Sequence, residues 1–173
     1  LSTVKSGIVL INYESYWREP LRAAILKWSP DAVVLDEGHR IRHRGARHSR
    51  FAHKLADVGV DIRLLLTGTP MNNGIQDVWS LYRFIDPRVF GRRYSDFERA
   101  HLVMGGYGGY EIKGYRDEEV VRTKIETTSY QSRADHAIET EDILVPVRLS
   151  KRTQSVYDEL KKHAIAEVES AAG

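Results

Sequence analysis

Short apolar runs broken by polar clusters set the rhythm of the first ninety residues. Ile8-Val9-Leu10-Ile11 is a β-branched run that reads as a buried strand, with Asn12-Tyr13-Glu14 as its exit. Between Glu19 and Trp28, Leu21, Ala24, Ile25 and Trp28 recur at helical spacing, and Pro20 sits near the helix start. Ser29-Pro30-Asp31 makes a turn. Ala32 to Leu35 reads as a second buried strand, Ser49 to Val58 as a helix and Ile62 to Leu66 as a third strand, broken by Thr67-Gly68-Thr69-Pro70. Ile75, Val78, Trp79, Leu81, Tyr82 and Ile85 line one face of a helix. Strands alternating with helices predict an α/β fold with a parallel sheet. Such sheets bind ligands beyond the carboxyl ends of their strands. Both Asp36-Glu37 and Thr67-Gly68-Thr69 fall at ends of that kind.

Beyond Pro87 the pattern changes. Gly105 to Tyr110 is rich in Gly and Tyr, and Glu111 to Tyr115 alternates as a hairpin strand does. Asp117 to Glu126 reads as a helix and Val145 to Leu149 as a strand. Ser150 is placed to cap a last helix from about Lys151 to Glu169. The pattern divides the chain into residues 1–90 of alternating strands and helices, 91–143 as an extension, and 144–173 as a strand and helix leading onward.

The 173 residues are 42% hydrophobic and 29% charged, which supports a real core and excludes wholesale disorder. No apolar run is long enough to cross a membrane. The start, Leu1-Ser2-Thr3-Val4-Lys5, shows neither an initiator Met nor a signal-peptide pattern and reads as a cut inside a longer protein. The absence of cysteine excludes disulfides and cysteine-bound zinc, and fits a cytoplasmic protein. A net charge of +2 does not by itself argue for nucleic acid. Its distribution says more: from His39 to Arg50 there are five arginines, three histidines and no acid. That run is either a solvated face or a phosphate-contacting surface.

Adjacent acids at a strand tip can serve a metal-bound triphosphate, one carboxylate near the metal and the other orienting the attacking water. The bland alternative is that Asp36 and Glu37 cap the next helix. The hydrophobic strand delivering Asp-Glu-x-His favours the chemical reading. His39 can reach across to the Thr67–Thr69 loop or towards a γ-phosphate; otherwise it is an exposed loop histidine. Thr67 and Thr69 carry hydroxyls on a strand exit 31 residues beyond Asp36, where they can bond a neighbouring acid or imidazole.

Asp36-Glu37-Gly38-His39-Arg40-Ile41-Arg42 resembles motif II of superfamily-two helicases, a DEAH-like box. Leu64 to Asn73, Asp77-Val78-Trp79-Ser80-Leu81 and Phe84-Ile85-Asp86-Pro87 resemble motif III and its helix in the Swi/Snf-type branch. Ile11 to Glu14 resembles the segment of that branch that touches the nucleic-acid backbone. Phe90-Gly91, Phe97 and Gly105 to Tyr115 resemble the region that follows in phage and bacterial members. Ser129 to Asp135 and Val145-Pro146-Val147 resemble the stretch leading to a second motor lobe. The resemblance implies residues 1–90 as the C-terminal half of the first RecA-like, P-loop-NTPase-type ATPase lobe, followed by a C-terminal α+β extension: 91–143 as a family-specific insertion and 144–173 as the strand and helix leading to a second lobe. It implies ATP and Mg²⁺ as cofactors: Asp36 holds Mg²⁺ through water, Glu37 activates the attacking water, and His39, Thr67, Gly68 and Thr69 couple the nucleotide to DNA. Asn12, Tyr13, Arg40 and Arg42 are the implied contacts to the backbone of double-stranded DNA.

The chain also departs from the family's pattern. It contains no Gly-x-x-x-x-Gly-Lys-[Ser/Thr], so the amides and lysine that cradle phosphates are missing, together with the second lobe and its arginine finger. These parts of the parent chain are implied partners, and the piece alone is predicted not to hydrolyse ATP. Two other readings stay open: a non-catalytic α/β interaction module with vestigial motifs, and a subunit of another superfamily-two translocase. Intact Asp36 and Glu37 argue against the first; the Asn72-Asn73 and Trp79-Ser80-Leu81 pattern argues against the second.

Overall fold

The computed structural model describes residues 6–132 and 143–171, with side chains of the last helix described through 162. The described residues fall into two compact units on either side of the Gln131–Ser132 junction. In the first, helix α1 (Leu21–Trp28) precedes strand β1 (Ala32–Leu35), helix α2 (Arg47–Asp57), strand β2 (Ile62–Leu65) and helix α3 (Gln76–Ile85). Two short helices, α4 (Pro87–Phe90) and α5 (Tyr94–His101), lead into the hairpin β3 (Leu102–Gly105) and β4 (Glu111–Tyr115), and helix α6 (Glu118–Thr128) follows.

β1 and β2 pair in parallel, Ala32 opposite Ile62 and Leu35 opposite Leu65. Two parallel strands need a crossover connection, and α2 supplies it. One face of this small sheet turns Val33, Leu35 and Leu65 towards the core. The core centres on α3, whose Val78, Leu81 and Phe84 are almost wholly buried together with Ile41, Phe97, Leu102 and Val121. A second cluster packs Tyr16 and Ile25 against Phe51, Leu55 and Val60 of the α2 region. The hairpin is antiparallel, with an irregular register between Val103 and Met104.

Three features differ from the sequence expectation. Ile8–Ile11 is not a strand: it is irregular, and Ile8 and Leu10 are each 93% exposed. Val9 to Tyr13 and Ala32 to Asp36 line one cavity of about 420 Å³, so the run lies beside β1 without forming a ladder with it. An apolar run becomes a strand only when a neighbour takes its backbone groups. Val145–Leu149 is likewise irregular, with Val145 and Val147 about three-quarters exposed. Lastly, α2 starts at Arg47, two residues before the expected Ser49.

In the second unit, helix α7 (Lys151–Ala171) begins where expected, with Ser150 Oγ accepting from the Thr153 amide at 3.2 Å. Residues 133–142, which include Asp135 of the implied link to a second lobe, lie outside the described residues. Among the described residues, no helix is long and apolar enough to cross a membrane.

Candidate functional site

Because the strands are parallel and in register, their carboxyl ends share one rim. The ladder continues past both strands: the Leu66 amide donates to Leu35 O at 2.9 Å, and the Gly38 amide donates to Leu66 O at 2.8 Å. Asp36-Glu37 and Thr67-Gly68-Thr69 are thereby held side by side.

The Asp36 tip turns sharply. Glu37 adopts a left-handed conformation, φ 49° and ψ 46°, which costs a non-glycine residue about 1–2 kcal/mol. Two bonds offset that cost: the Gly38–Leu66 bond and a bond from the Glu37 amide to Asp36 Oδ1 at 3.0 Å. The chain then enters a 3-10 turn, Gly38–Ile41, that buries Gly38 and Ile41. Gly38 lies so close to Leu65 that a Cβ would collide with that side chain. The pattern Asp-Glu-x-His leaves this position open, and a glycine between the acid pair and the histidine is the available signal of close approach.

His39 sits at a fork. Its Nδ1 lies 3.1 Å from Glu37 Oε2 and 3.3 Å from Thr67 Oγ1. Thr67 Oγ1 also accepts from the Thr69 amide at 3.2 Å, which closes the loop of motif III on itself. A single Nδ1–H cannot serve two acceptors fully, and the carboxylate, being charged and nearer, is the stronger partner. Nothing around Gly68 demands a glycine, since a Cβ there meets open space.

The loop after Thr69 is tied down by a buried carboxylate. Asp77 Oδ2 accepts from the amides of Asn72 and Asn73, at 3.2 and 2.9 Å. Tyr115 of β4 reaches the same loop, its hydroxyl donating to Gln76 Oε1 at 2.9 Å. Gly74, at φ +123°, has that hydroxyl where its Cβ would stand. Asp77 and Tyr115 were not singled out as loop anchors from sequence: Asp77 reads simply as an acid in the first turn of α3, and Tyr115 acts on a residue 39 positions away.

The implied backbone-contact residues are brought to the same corner. Tyr13 donates its hydroxyl to Asp36 O at 2.7 Å. Burial pushes its phenol up to about 12; Arg40 opposes this, and the Asp36 and Glu37 carboxylates add to it. The Arg40 guanidinium lies over the Tyr13 ring, 5.0 Å from its centroid, and pairs with Glu14. Asn12 is exposed, and its carbonyl accepts from the Ser15 and Tyr16 amides in a tight turn. Arg42 stands at the end of the 3-10 turn, half-buried. Further along the basic run, Arg44 stacks on Tyr94 at 4.0 Å and Arg47 on Trp17 at 5.2 Å.

Comparison with known proteins places these features in a family. The family model described as an SNF2-related domain matches residues 2–173. The chromatin structure-remodeling complex subunit snf21 of Schizosaccharomyces pombe is 27% identical over 95% of this chain and 14% of its own. The ATP-dependent DNA helicase DDM1 of Arabidopsis thaliana is 38% identical over 54% of this chain and 12% of its own. The uncharacterized ATP-dependent helicase YqhH of Bacillus subtilis is 25% identical over 90% of this chain and 27% of its own. The chain thus spans less than a third of the length of each of these relatives. Strand tips, motif spacing and family match agree, and the chain belongs to the SNF2-related domain family.

Proposed function

We propose that this chain is the metal-and-water side of the first motor lobe of an ATP-driven DNA translocase, acting in the cytoplasm on double-stranded DNA. The observation that carries the proposal is the shared rim. Asp36-Glu37 and Thr67–Thr69 stand next to each other at the ends of two paired parallel strands, with His39 between them.

Asp36 is the candidate holder of Mg²⁺, through water. Among the described residues, one of its oxygens bonds the Glu37 amide and the other has no hydrogen bond. No cluster of three or more metal-binding side chains occurs among the described residues. The Asp36 carboxylate at the strand tip suits magnesium, which takes one or two carboxylates together with substrate phosphates and waters. Held there, a magnesium ion would supply charge neutralisation for the substrate's phosphates.

Glu37 orients the attacking water and takes its proton. As Glu37 turns to the water, it gives up its bond to His39. The His39 Nδ1–H then has Thr67 Oγ1 as its remaining acceptor, so the state of the water site is transmitted to the motif III loop. Asp77 keeps that loop in place. Asn12, Arg40 and Arg42 meet the DNA backbone, and Tyr13, its hydroxyl engaged on Asp36 O, supports them from behind. The P-loop and the arginine finger come from the rest of the parent chain, and the finger alone is worth on the order of 10³–10⁵ in rate.

The test is ATP turnover by the full-length parent with and without duplex DNA, beside the 173-residue chain. The parent should be stimulated by duplex and the isolated chain inactive. Turnover by the isolated chain, or a parent indifferent to duplex, would overturn the proposal.

A further inference from the structure

Tyr13 has one O–H to donate, and it is engaged on the carbonyl of Asp36. The same ring carries the Arg40 guanidinium on its face, and Arg40 is also paired with Glu14, the residue next to Tyr13. Three residues therefore join two segments: the exit of the 8–14 run, and the tip and turn that present Asp36, Glu37 and His39.

We propose, resting on the translocase reading above, that Tyr13 is a positioning residue for the Asp36 tip and that the Glu14–Arg40 pair makes it responsive to a DNA phosphodiester. Arg40 and Glu14 are each about half exposed, so the pair is weak and open to competition. A phosphodiester offers Arg40 a bidentate partner that Glu14 does not provide here. Taking that partner draws the cation off Glu14 and changes the load on the Tyr13 ring, which is fixed to the Asp36 backbone. Occupancy of the DNA backbone is thus felt at the metal-side carboxylate through one phenol. Tyr13 contributes no hydrogen bond to DNA itself.

The experiment uses the full-length protein with Tyr13→Phe, which keeps the ring and removes only the hydroxyl, and with Glu14→Gln. For Tyr13→Phe the expected results are an unchanged duplex Kd and a thermal midpoint lowered by a few degrees at most. DNA-stimulated kcat falls about tenfold, and amide hydrogen exchange across residues 35–41 is about tenfold faster. Glu14→Gln should tighten the duplex Kd by about threefold by freeing Arg40. Wild-type kcat and exchange in Tyr13→Phe would overturn the positioning role. A weakened duplex Kd at unchanged kcat would do so too, by making Tyr13 a direct contact. An unchanged Kd in Glu14→Gln would overturn the competition. The exchange measurement needs no turnover, so it decides the Tyr13 role even if the parent shows no DNA-stimulated ATPase, a result that would instead sink the translocase reading.

Discussion

Thr67 Oγ1 lies 3.3 Å from His39 Nδ1, although 28 residues separate them in the chain. The contact exists because β1 and β2 are in parallel register and each gives way to a polar loop at the same level. If this contact transmits the state of the water site, Thr67→Val in the full-length protein should lower DNA-stimulated kcat by about tenfold while leaving nucleotide affinity intact. Steady-state kinetics with a separate nucleotide-binding titration checks it. A variant with normal kcat would remove Thr67 from the relay.

Gly38 is required by packing. Gly38→Ala drives a methyl group into Leu65 and should destabilise the chain by about 1–3 kcal/mol. Shortening the obstacle with Leu65→Ala removes the clash but costs stability of its own. In a double-mutant cycle from denaturant unfolding, the two changes should couple by at least about 0.5 kcal/mol. Additive effects would show that Gly38 is tolerant and the close approach unimportant.

Stability should fall on mild acidification. His53 Nε2 lies 2.9 Å from Ser80 O and 3.0 Å from Ser80 Oγ, against the edge of Trp79. Burial lowers its pKa below the ordinary 6.5, more than the bond to Ser80 raises it. Burial also lowers that of His101, with Lys124 adding to the effect. The unfolded chain then binds protons at a higher pH than the folded one. The stabilisation is fully present above 6.5 and is lost as pH drops through that value towards the folded pKa. Unfolding titrations between about pH 7.5 and 5 should show this slope, and His53→Gln should flatten it. An equal slope in the variant would acquit His53.

Much of the site was legible in the residues. The two short apolar runs ending in Asp36-Glu37 and Thr67-Gly68-Thr69 became paired strands with a common rim, because β-branched and leucine runs of four to five residues bounded by turn residues have few other uses. The α3 face was readable from its helical spacing and the 111–115 strand from its alternation. Ile8–Ile11 carries the same apolar signal yet is no strand, since pairing depends on a neighbour that local sequence does not specify. Helix α5 and strand β3 went unread: Tyr94 to His101 buries only Phe97 and His101, too thin a stripe to register as periodic. The Tyr13–Asp36 bond is tertiary and leaves no period at all, while the Asp77–Asn73 bond is local and leaves as its signal only an acid in the first turn of α3.

The outer face of the small sheet makes a further prediction. Val34, Ile62, Leu64 and Leu66 are each about half exposed on adjoining strands. Uncovered apolar faces of this kind favour association. The 173-residue chain should therefore self-associate with rising concentration in sedimentation velocity, and Leu64→Lys should shift it towards monomer. A chain that stays monomeric throughout would mean this face is already adequately solvated.

The central claim is that Glu37 is the base acting on water beside a phosphate-bound metal held by Asp36. Its most direct test is Glu37→Gln in the full-length parent, with ATP binding and duplex-stimulated hydrolysis measured on the same preparation. The account predicts ATP affinity within about twofold of wild type and turnover reduced by at least about 10². Persistent hydrolysis at a wild-type rate would contradict it.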